Sequence, residues 1–171
     1  GLAERVHYRG VRVPEMSPND IVEAYGLRLL LDAIVAQEAA LHITPEQVSA
    51  LSGTQDELKK QVTLNEMAHA WQLSREFHMG IVAATGNNLL AKLYVIVANA
   101  FPDWMLYEAM FHHPELLAGS LADDENEHRA ILEALATGRP DAAAQKAVDH
   151  IVHLGTSLEI LLDIPSELLR E

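Results

Sequence analysis

Prolines at the start of helical hydrophobic patterns place the strongest constraint on how this chain folds. Ser17-Pro18-Asn19-Asp20 combines a hydroxyl cap, a proline at the first helical position and an acid in the first turn. Thr44-Pro45-Glu46-Gln47 has the arrangement of a capping box, and Pro114 and Pro140 each open a further segment. Because proline has a fixed φ and no N–H, it suits the first turn of a helix and breaks a helix interior. These positions therefore predict where helices begin.

Six helical segments are predicted from these starts and from the spacing of apolar residues between them. Their expected ranges are about 18–41, 45–60 (or to 65), 64–85, 88–110, 114–138 and 140–164. Gly86-Asn87 is a typical cap pair after the third segment, and Pro102 is expected to end or kink the fourth. The pattern predicts an all-α fold, an antiparallel bundle of about six to seven helices with short loops.

Residues 1–13 differ from the rest and form a separate predicted unit, with the helical unit covering residues 14–171. Strand-forming residues and a turn near Arg9-Gly10 predict a short β-hairpin here. Three arginines against one glutamate give this segment a net charge of +2, whereas the whole chain carries −13. The acidic helical unit should repel phosphate backbones, which argues against nucleic-acid binding by that part.

Composition excludes several classes of protein. The 171 residues contain no cysteine, so disulfides, thiolate metal sites and cysteine nucleophiles are excluded. With 49% hydrophobic residues the chain is long enough to bury a core. No apolar run approaches the roughly 18 residues that a membrane span requires, and no secretory signal is visible. The expectation is a soluble, cytoplasmic protein without membrane contact.

Histidines supply the main candidate functional group. Of the nine histidines, His78, His128 and His150 fall on the inward hydrophobic stripes of three different predicted helices. Each alone is typical of a core histidine held by a hydrogen bond. Three together can instead share one cation, because imidazole suits zinc, nickel, copper or iron and bundle cores host such sites. The other histidines, His153 among them, are predicted to be solvated.

Two more polar residues lie on inward faces, and each leaves alternatives open. Asp124 precedes His128 by one turn, so it can bind a metal, orient His128 or meet solvent at the bundle end. Arg28 is surrounded in sequence by leucines and needs an anionic partner. That partner is either Asp32, one turn further on, or a bound carboxylate.

These motifs, in their order and spacing over about residues 17–162, resemble the effector-binding FCD domain of the FadR subfamily of GntR transcription regulators. The matching elements, in chain order, are Arg28 with Asp32, Phe77-His78, Gly86-Asn87, Glu127-His128, and an alanine-rich helix with His150. The resemblance implies a ligand-sensing domain that binds a small organic acid in a pocket of the bundle. Arg28, Tyr94 and Asn99 are the expected ligand-binding residues.

The resemblance also implies a divalent metal, zinc or nickel, held by one aspartate and three histidines. The histidines correspond to His78, His128 and His150, but Ser74 stands at the position of the aspartate. A neutral hydroxyl is a poor ligand, so water, the carboxylate of the effector or Asp124 would complete the site. The other possibility is an effector site that works without metal.

The same resemblance implies that residues 1–13 are the closing wing of a winged-helix DNA-binding domain. The intact regulator would be a homodimer that contacts DNA only through that domain, whose recognition helix this chain lacks. The competing interpretation is a helical-bundle metalloenzyme with the same three histidines and Glu127 or Asp124 as base, although no His-Glu-x-x-His motif occurs. A third is an interaction module that has no ligand.

Overall fold

A computed structural model describes residues 4–6, 10–12, 16–60, 63, 66–101 and 103–169. In this part of the chain the helices are α1 (Pro18–His42), α2 (Pro45–Leu58), α3 (Met67–Ala84), α4 (Asn88–Ala100), α5 (Asp103–His112), α6 (Pro114–Ala136) and α7 (Pro140–Leu162). They form an all-α bundle, which confirms the predicted fold class. None of these described helices is long and apolar enough to cross a bilayer.

The caps that open α1 and α2 form as the sequence predicts. The Ser17 side chain accepts a hydrogen bond from the Asp20 backbone N–H, and the Asp20 carboxylate accepts one from the Ser17 backbone in return. Thr44 and Gln47 make the same reciprocal pair at the start of α2. Each pair satisfies backbone N–H groups that the first turn of a helix leaves without partners.

The fourth predicted segment is two helices. α4 ends at Ala100 and α5 begins at Asp103, so the interruption falls at Pro102, which itself lies outside the described residues. The sequence predicted that the proline would end or kink the helix, and the structure shows an end, because proline cannot donate the N–H that an interior turn requires. The split directs α5 toward α6 and α7, so that α5 covers one side of the cavity described below.

A polar layer separates two apolar clusters of the core. One cluster joins the later half of α1 to α2, α3, α4, α6 and the start of α7, around the fully buried Phe77 and Leu135. The other joins the start of α1 to α5 and the later half of α7, around Ile151 and Leu158. The buried polar residues of α1 and α7 lie between the two clusters along each helix. This layer is where the candidate site forms.

The amino-terminal segment contains two short strands, β1 (Glu4–Val6) and β2 (Gly10–Arg12), which pair antiparallel. Glu4 lies opposite Arg12, and Val6 lies opposite Gly10. The pairing agrees with the predicted hairpin, although Gly10 belongs to the second strand and residues 7–9 lie outside the described part. The division into residues 1–13 and 14–171 stays a prediction.

Candidate metal and ligand site

Three imidazole rings from three helices meet in the polar layer. The ring centroids of His78 on α3 and His128 on α6 are 4.9 Å apart. His150 on α7 lies 5.2 Å from His78 and 4.8 Å from His128, measured in the same way. One nitrogen from each ring lies within 4.8 Å of the others, which is close enough for a single ion to contact all three. Of the two alternatives that the sequence left open, the structure therefore favours convergence.

His128 is the most enclosed of the three. Its side chain is 0% exposed, and neither ring nitrogen has a hydrogen-bond partner among the residues that the structure describes. The ring stacks on Phe77 with the centroids 4.5 Å apart. Burial lowers the pKa of His128 well below its usual value, and burial does the same to the pKa of His78. Both rings are therefore neutral at physiological pH, which leaves a lone pair on each for a cation.

Two carboxylates border the histidines on the α6 side. Glu127 Oε2 lies 2.8 Å from His150 Nδ1, and Glu127 Oε1 contacts His153 Nδ1 at 2.5 Å. Asp124 Oδ1 lies 3.5 Å from His128 Nε2 and 3.9 Å from His150 Nδ1. When Glu127 accepts a hydrogen bond from the Nδ1–H of His150, the Nε2 of that ring keeps its lone pair and can bind a metal.

The carboxylates also shift the protonation of the site. Burial acts to lower the pKa of His150, but the hydrogen bond to Glu127 and the charges of Asp124 and Glu127 outweigh it, and the net shift is upward. Burial raises the pKa of Asp124. The three neighbouring histidines thus differ: the pKa of His150 is raised, whereas the pKa values of His78 and His128 are lowered.

Arg28 finds its anion within its own helix. Its Nε lies 2.7 Å from Asp32 Oδ2, and both side chains are buried. Tyr94 on α4 donates to Asp32 Oδ1 at 2.9 Å, and His78 Nδ1 lies 3.8 Å from the same oxygen. Of the two partners considered for Arg28, the structure shows the internal salt bridge. Asp32 thereby links α1, α4 and α3, the helix that carries His78.

A cavity of about 110 Å³ opens beside the histidines. Six of the predicted metal- and ligand-site residues contribute to its wall: Arg28, Ser74, His78, Tyr94, Asp124 and His150. Asn99 is not part of the wall. Its Oδ1 accepts a hydrogen bond of 2.8 Å from Arg75 Nη2, and it is Arg75 that lines the cavity.

Sequence reasoning missed several residues of this cavity. His153 was predicted to be solvated, and its side chain is 39% exposed. It also bonds Glu127 and lines the wall, which the sequence did not predict. Arg75, Ser120 and Ser157 line it too. Helical spacing could have found them, because each lies three, seven or eight residues from one of the three inward histidines and so shares its face. His42, His69, His112 and His113 are exposed as expected, and His7 lies outside the described residues.

Comparisons with known proteins agree with this architecture. A sequence profile of the FCD domain matches residues 23–153. Among curated proteins, no match was found. The fold is similar to that of Streptococcus agalactiae GntR, with a TM-score of 0.60 and 19% identity over 90% of this chain and 73% of that one. It is also similar to a GntR family transcriptional regulator from Pseudomonas syringae pv. tomato str. DC3000.

For the Pseudomonas protein the TM-score is 0.65 and the identity 17%, over 95% of this chain but 65% of that one. At such identities the likeness concerns the fold, and this chain spans only part of the length of both proteins. The FCD profile, in contrast, covers most of the chain, including all three converging histidines. The chain therefore belongs to the FCD family, the C-terminal ligand-sensing domain of GntR-type transcription regulators.

Proposed function

We propose that this domain senses a small organic acid next to a divalent metal held by His78, His128 and His150. In the intact regulator, ligand binding would control DNA contact by a homodimer. The observation that carries the proposal is the convergence of three imidazoles around the fully buried His128, whose nitrogens form no hydrogen bond with the described residues. Membership of the FCD family identifies a regulatory domain and speaks against the metalloenzyme that the sequence left as an alternative.

The donor set fits a first-row divalent metal. A buried imidazole without a hydrogen bond costs about 1–3 kcal/mol, and a metal ion that accepts its lone pair removes that cost. Neutral imidazoles favour zinc or nickel over calcium or magnesium, which prefer oxygen ligands. Asp124, beside His128 and His150, is the proposed protein carboxylate of the site. Ser74 would offer a hydroxyl or hold a water molecule.

A bound metal would supply positive charge and open coordination positions that attract a carboxylate. The protein residues orient that carboxylate and restrict its size. Arg28 and Tyr94 line the cavity and share Asp32 as partner, so both are held in place before a ligand arrives. The volume of about 110 Å³ is well below the roughly 300 Å³ at which pockets for drug-sized ligands begin. The proposed ligand is correspondingly small.

α1 is the proposed connection between the cavity and DNA binding. Arg28 and Asp32 of α1 face the site, and the same helix begins at Pro18, six residues after β2 ends. A helix of this length behaves as a rigid rod. A ligand that alters the Arg28–Asp32–Tyr94 contacts would therefore alter the position of the amino-terminal segment, which we propose to be the wing of a DNA-binding domain.

Exposed aliphatic side chains support the homodimer. The outer faces of α1 and α4 carry seven that are 46% to 68% exposed: Leu27, Leu30, Ile34, Leu41, Leu89, Leu93 and Ile96. Large exposed apolar patches often mark protein–protein interfaces, and a stable interface buries roughly 800 Å² on each partner. A second copy of the chain is the proposed occupant. Leu30→Glu, which places a charge on this face, should shift the protein toward monomer in analytical ultracentrifugation.

Metal content tests the centre of the proposal. Wild-type protein dialysed against zinc or nickel should retain one ion per chain, and His128→Ala should retain none. His153→Ala is the matched control: it removes a histidine of the same cavity that lies outside the three-ring cluster, and it should keep its metal. Equal occupancy in the wild type and in His128→Ala would contradict the proposed site.

Ligand sensing is tested on the same metal-loaded protein. Thermal unfolding across a panel of small carboxylates should show a rise in Tm that grows with the concentration of the true ligand, because only the folded state binds it. If no carboxylate stabilises the protein at millimolar concentration, the organic-acid assignment is wrong. Chelation of the metal should abolish the stabilisation.

A further inference from the structure

We propose that Arg75 forms a second anion-binding subsite in the cavity, so that the ligand is a small dicarboxylate and not a monocarboxylate. This inference rests on the proposed function, since it adds one contact to the same ligand. It concerns a residue that no motif selected. Four observations carry it: the charge of Arg75, the way Arg75 is held, the position of the other charges, and the shape of the cavity.

Arg75 differs from most lysines and arginines in the described part of the chain from residue 16 onward. Six of these have a carboxylate oxygen within 3.8 Å: Arg28, Lys59, Lys60, Arg129, Arg139 and Lys146. In the same part of the chain, Arg75 and the exposed Lys92 have none among the described residues. In a protein with a net charge of −13, a partly buried arginine without a carboxylate is unusual. Its charge remains available to an anion from outside.

Asn99 holds the guanidinium group without neutralising it. The hydrogen bond from Arg75 Nη2 to Asn99 Oδ1 is 2.8 Å long and joins α3 to the end of α4. An amide oxygen fixes the orientation of the guanidinium but carries no charge. The planar group keeps further N–H donors in a geometry that matches a carboxylate. Arg75 is thus positioned before the ligand binds.

The negative charges of the wall lie beside the histidines. Glu127 is hydrogen-bonded to His150 and His153, and Asp124 lies within 3.9 Å of His128 and His150. These carboxylates face the imidazoles, where the proposed metal would balance them. Arg28 is already paired with Asp32. Arg75 is therefore the cation of the wall that has no anionic partner in the described structure.

The cavity is long enough for a ligand with two ends. Arg75 lies one turn before His78 on α3, and Ser120 lies two turns before His128 on α6. Ser157 lies two turns after His150 on α7, so the wall extends roughly 11 Å from the level of the histidines. One carboxylate would meet the metal and the other Arg75. With about 110 Å³ available, the chain between them is short, which points to compounds of about four or five carbons.

Matched acids of equal length test the subsite. Calorimetric titration of the zinc-loaded protein would compare succinate with butyrate and glutarate with valerate. The wild type should bind at least one dicarboxylate about tenfold more tightly than its monocarboxylate partner, the gain of one charge-assisted hydrogen-bonded pair. Arg75→Gln should remove that preference and leave monocarboxylate affinity unchanged. Arg75→Lys, which keeps the charge, should retain part of it.

Two controls separate this subsite from general effects. Lys92→Gln removes the exposed cation of α4 and should keep the full preference for dicarboxylates. Asn99→Ala leaves the charge but releases the guanidinium, and it should weaken dicarboxylates by a smaller factor than Arg75→Gln does. Zinc content is measured on each sample, so that a loss of zinc binding is distinguished from a loss of the Arg75 subsite.

Three results would overturn the inference. The first is equal binding of both members of each pair by the wild type, and the second is binding of none of the four acids. The third is that Arg75→Gln and Arg75→Lys weaken both members of each pair by the same factor, which would make Arg75 a structural residue. With zinc uptake intact, any of these rejects the Arg75 subsite alone. Loss of zinc uptake in the wild type would reject the proposed function itself.

Discussion

The two faces of α7 show how one helix can serve both the core and a binding site. Toward α1 it presents Ile151 and Leu158, both 0% exposed, with Gly155 between them. Toward the cavity it presents His150, His153, Leu154 and Ser157. On the first face, a Cβ added at Gly155 would collide with Tyr25. On the second face, polar side chains border the cavity.

The two faces contribute differently to the free energy of unfolding: the face toward α1 stabilises the fold, and the cavity side includes an unfavourable contribution. Close packing on the α1 side contributes dispersion and hydrophobic free energy at every position. On the cavity side, His128 of α6 is buried without hydrogen bonds, an arrangement that costs free energy until a partner binds. The residues available to bind a ligand therefore lie on the cavity side, where the side chains are not closely packed. Three substitutions test this division, in order of decreasing effect.

The largest effect is expected from truncation on the packed face. Leu158→Ala should lower the free energy of unfolding of the metal-free protein by about 2–5 kcal/mol, because it removes a fully buried side chain and leaves a cavity. Leu154→Ala, one turn earlier and in the cavity wall, should cost about 1 kcal/mol, since that side chain is only partly buried. Urea denaturation measures both. Equal losses would mean that the two faces are packed alike.

A smaller loss is expected when an atom is added to the packed face. A Cβ at Gly155 would lie 2.7 Å from the Tyr25 hydroxyl oxygen and 2.9 Å from its ring carbons. Gly155→Ala should therefore lower the free energy of unfolding by about 1–3 kcal/mol through overpacking. Gly53→Ala is the control, because nothing lies within 4 Å of its added Cβ. It should stabilise α2 by roughly 0.5–1 kcal/mol. A stabilising Gly155→Ala would show that Tyr25 moves freely.

The smallest effect is expected when a charge is added on the cavity side. Ser74→Asp places a carboxylate one turn before His78, and zinc affinity should rise about tenfold, equivalent to ~1.4 kcal/mol, with little change in stability. Ser157→Asp adds the same group two turns away from the histidines and should leave zinc affinity nearly unchanged. Competition with a chromogenic chelator measures both. Weaker zinc retention in Ser74→Asp would mean that residue 74 does not face the ion.

Much of the fold was predictable because the residues that start and stop its helices act locally in the sequence. Proline positions and capping residues marked the starts of α1, α2, α6 and α7 to the residue. The interruption near Pro102 was also predicted, but whether the chain would bend or form two helices was not. That outcome depends on what α5 packs against, which no local pattern contains. The all-α class followed from the periodicity alone.

The candidate site was predictable only in part. Periodicity selected His78, His128 and His150, but it did not identify His153 or Arg75 as residues of the cavity wall. Both were missed for one reason: the wall of a cavity is wider than the central apolar stripe of a helix, so residues at its edge fall on the polar face in sequence. The choice between two partners for Arg28 was likewise settled by a distance, that to Asp32.

By itself, the sequence determined which residues each helix turns inward, because 3.6 residues per turn set the direction of every side chain around the axis. Only the tertiary structure decided how near those side chains come to one another. Distances between α3, α6 and α7 depend on crossing angles and on the volume of all side chains packed between the helices. For that reason three inward histidines were visible in the sequence, while their meeting point and the arginine beside it were not.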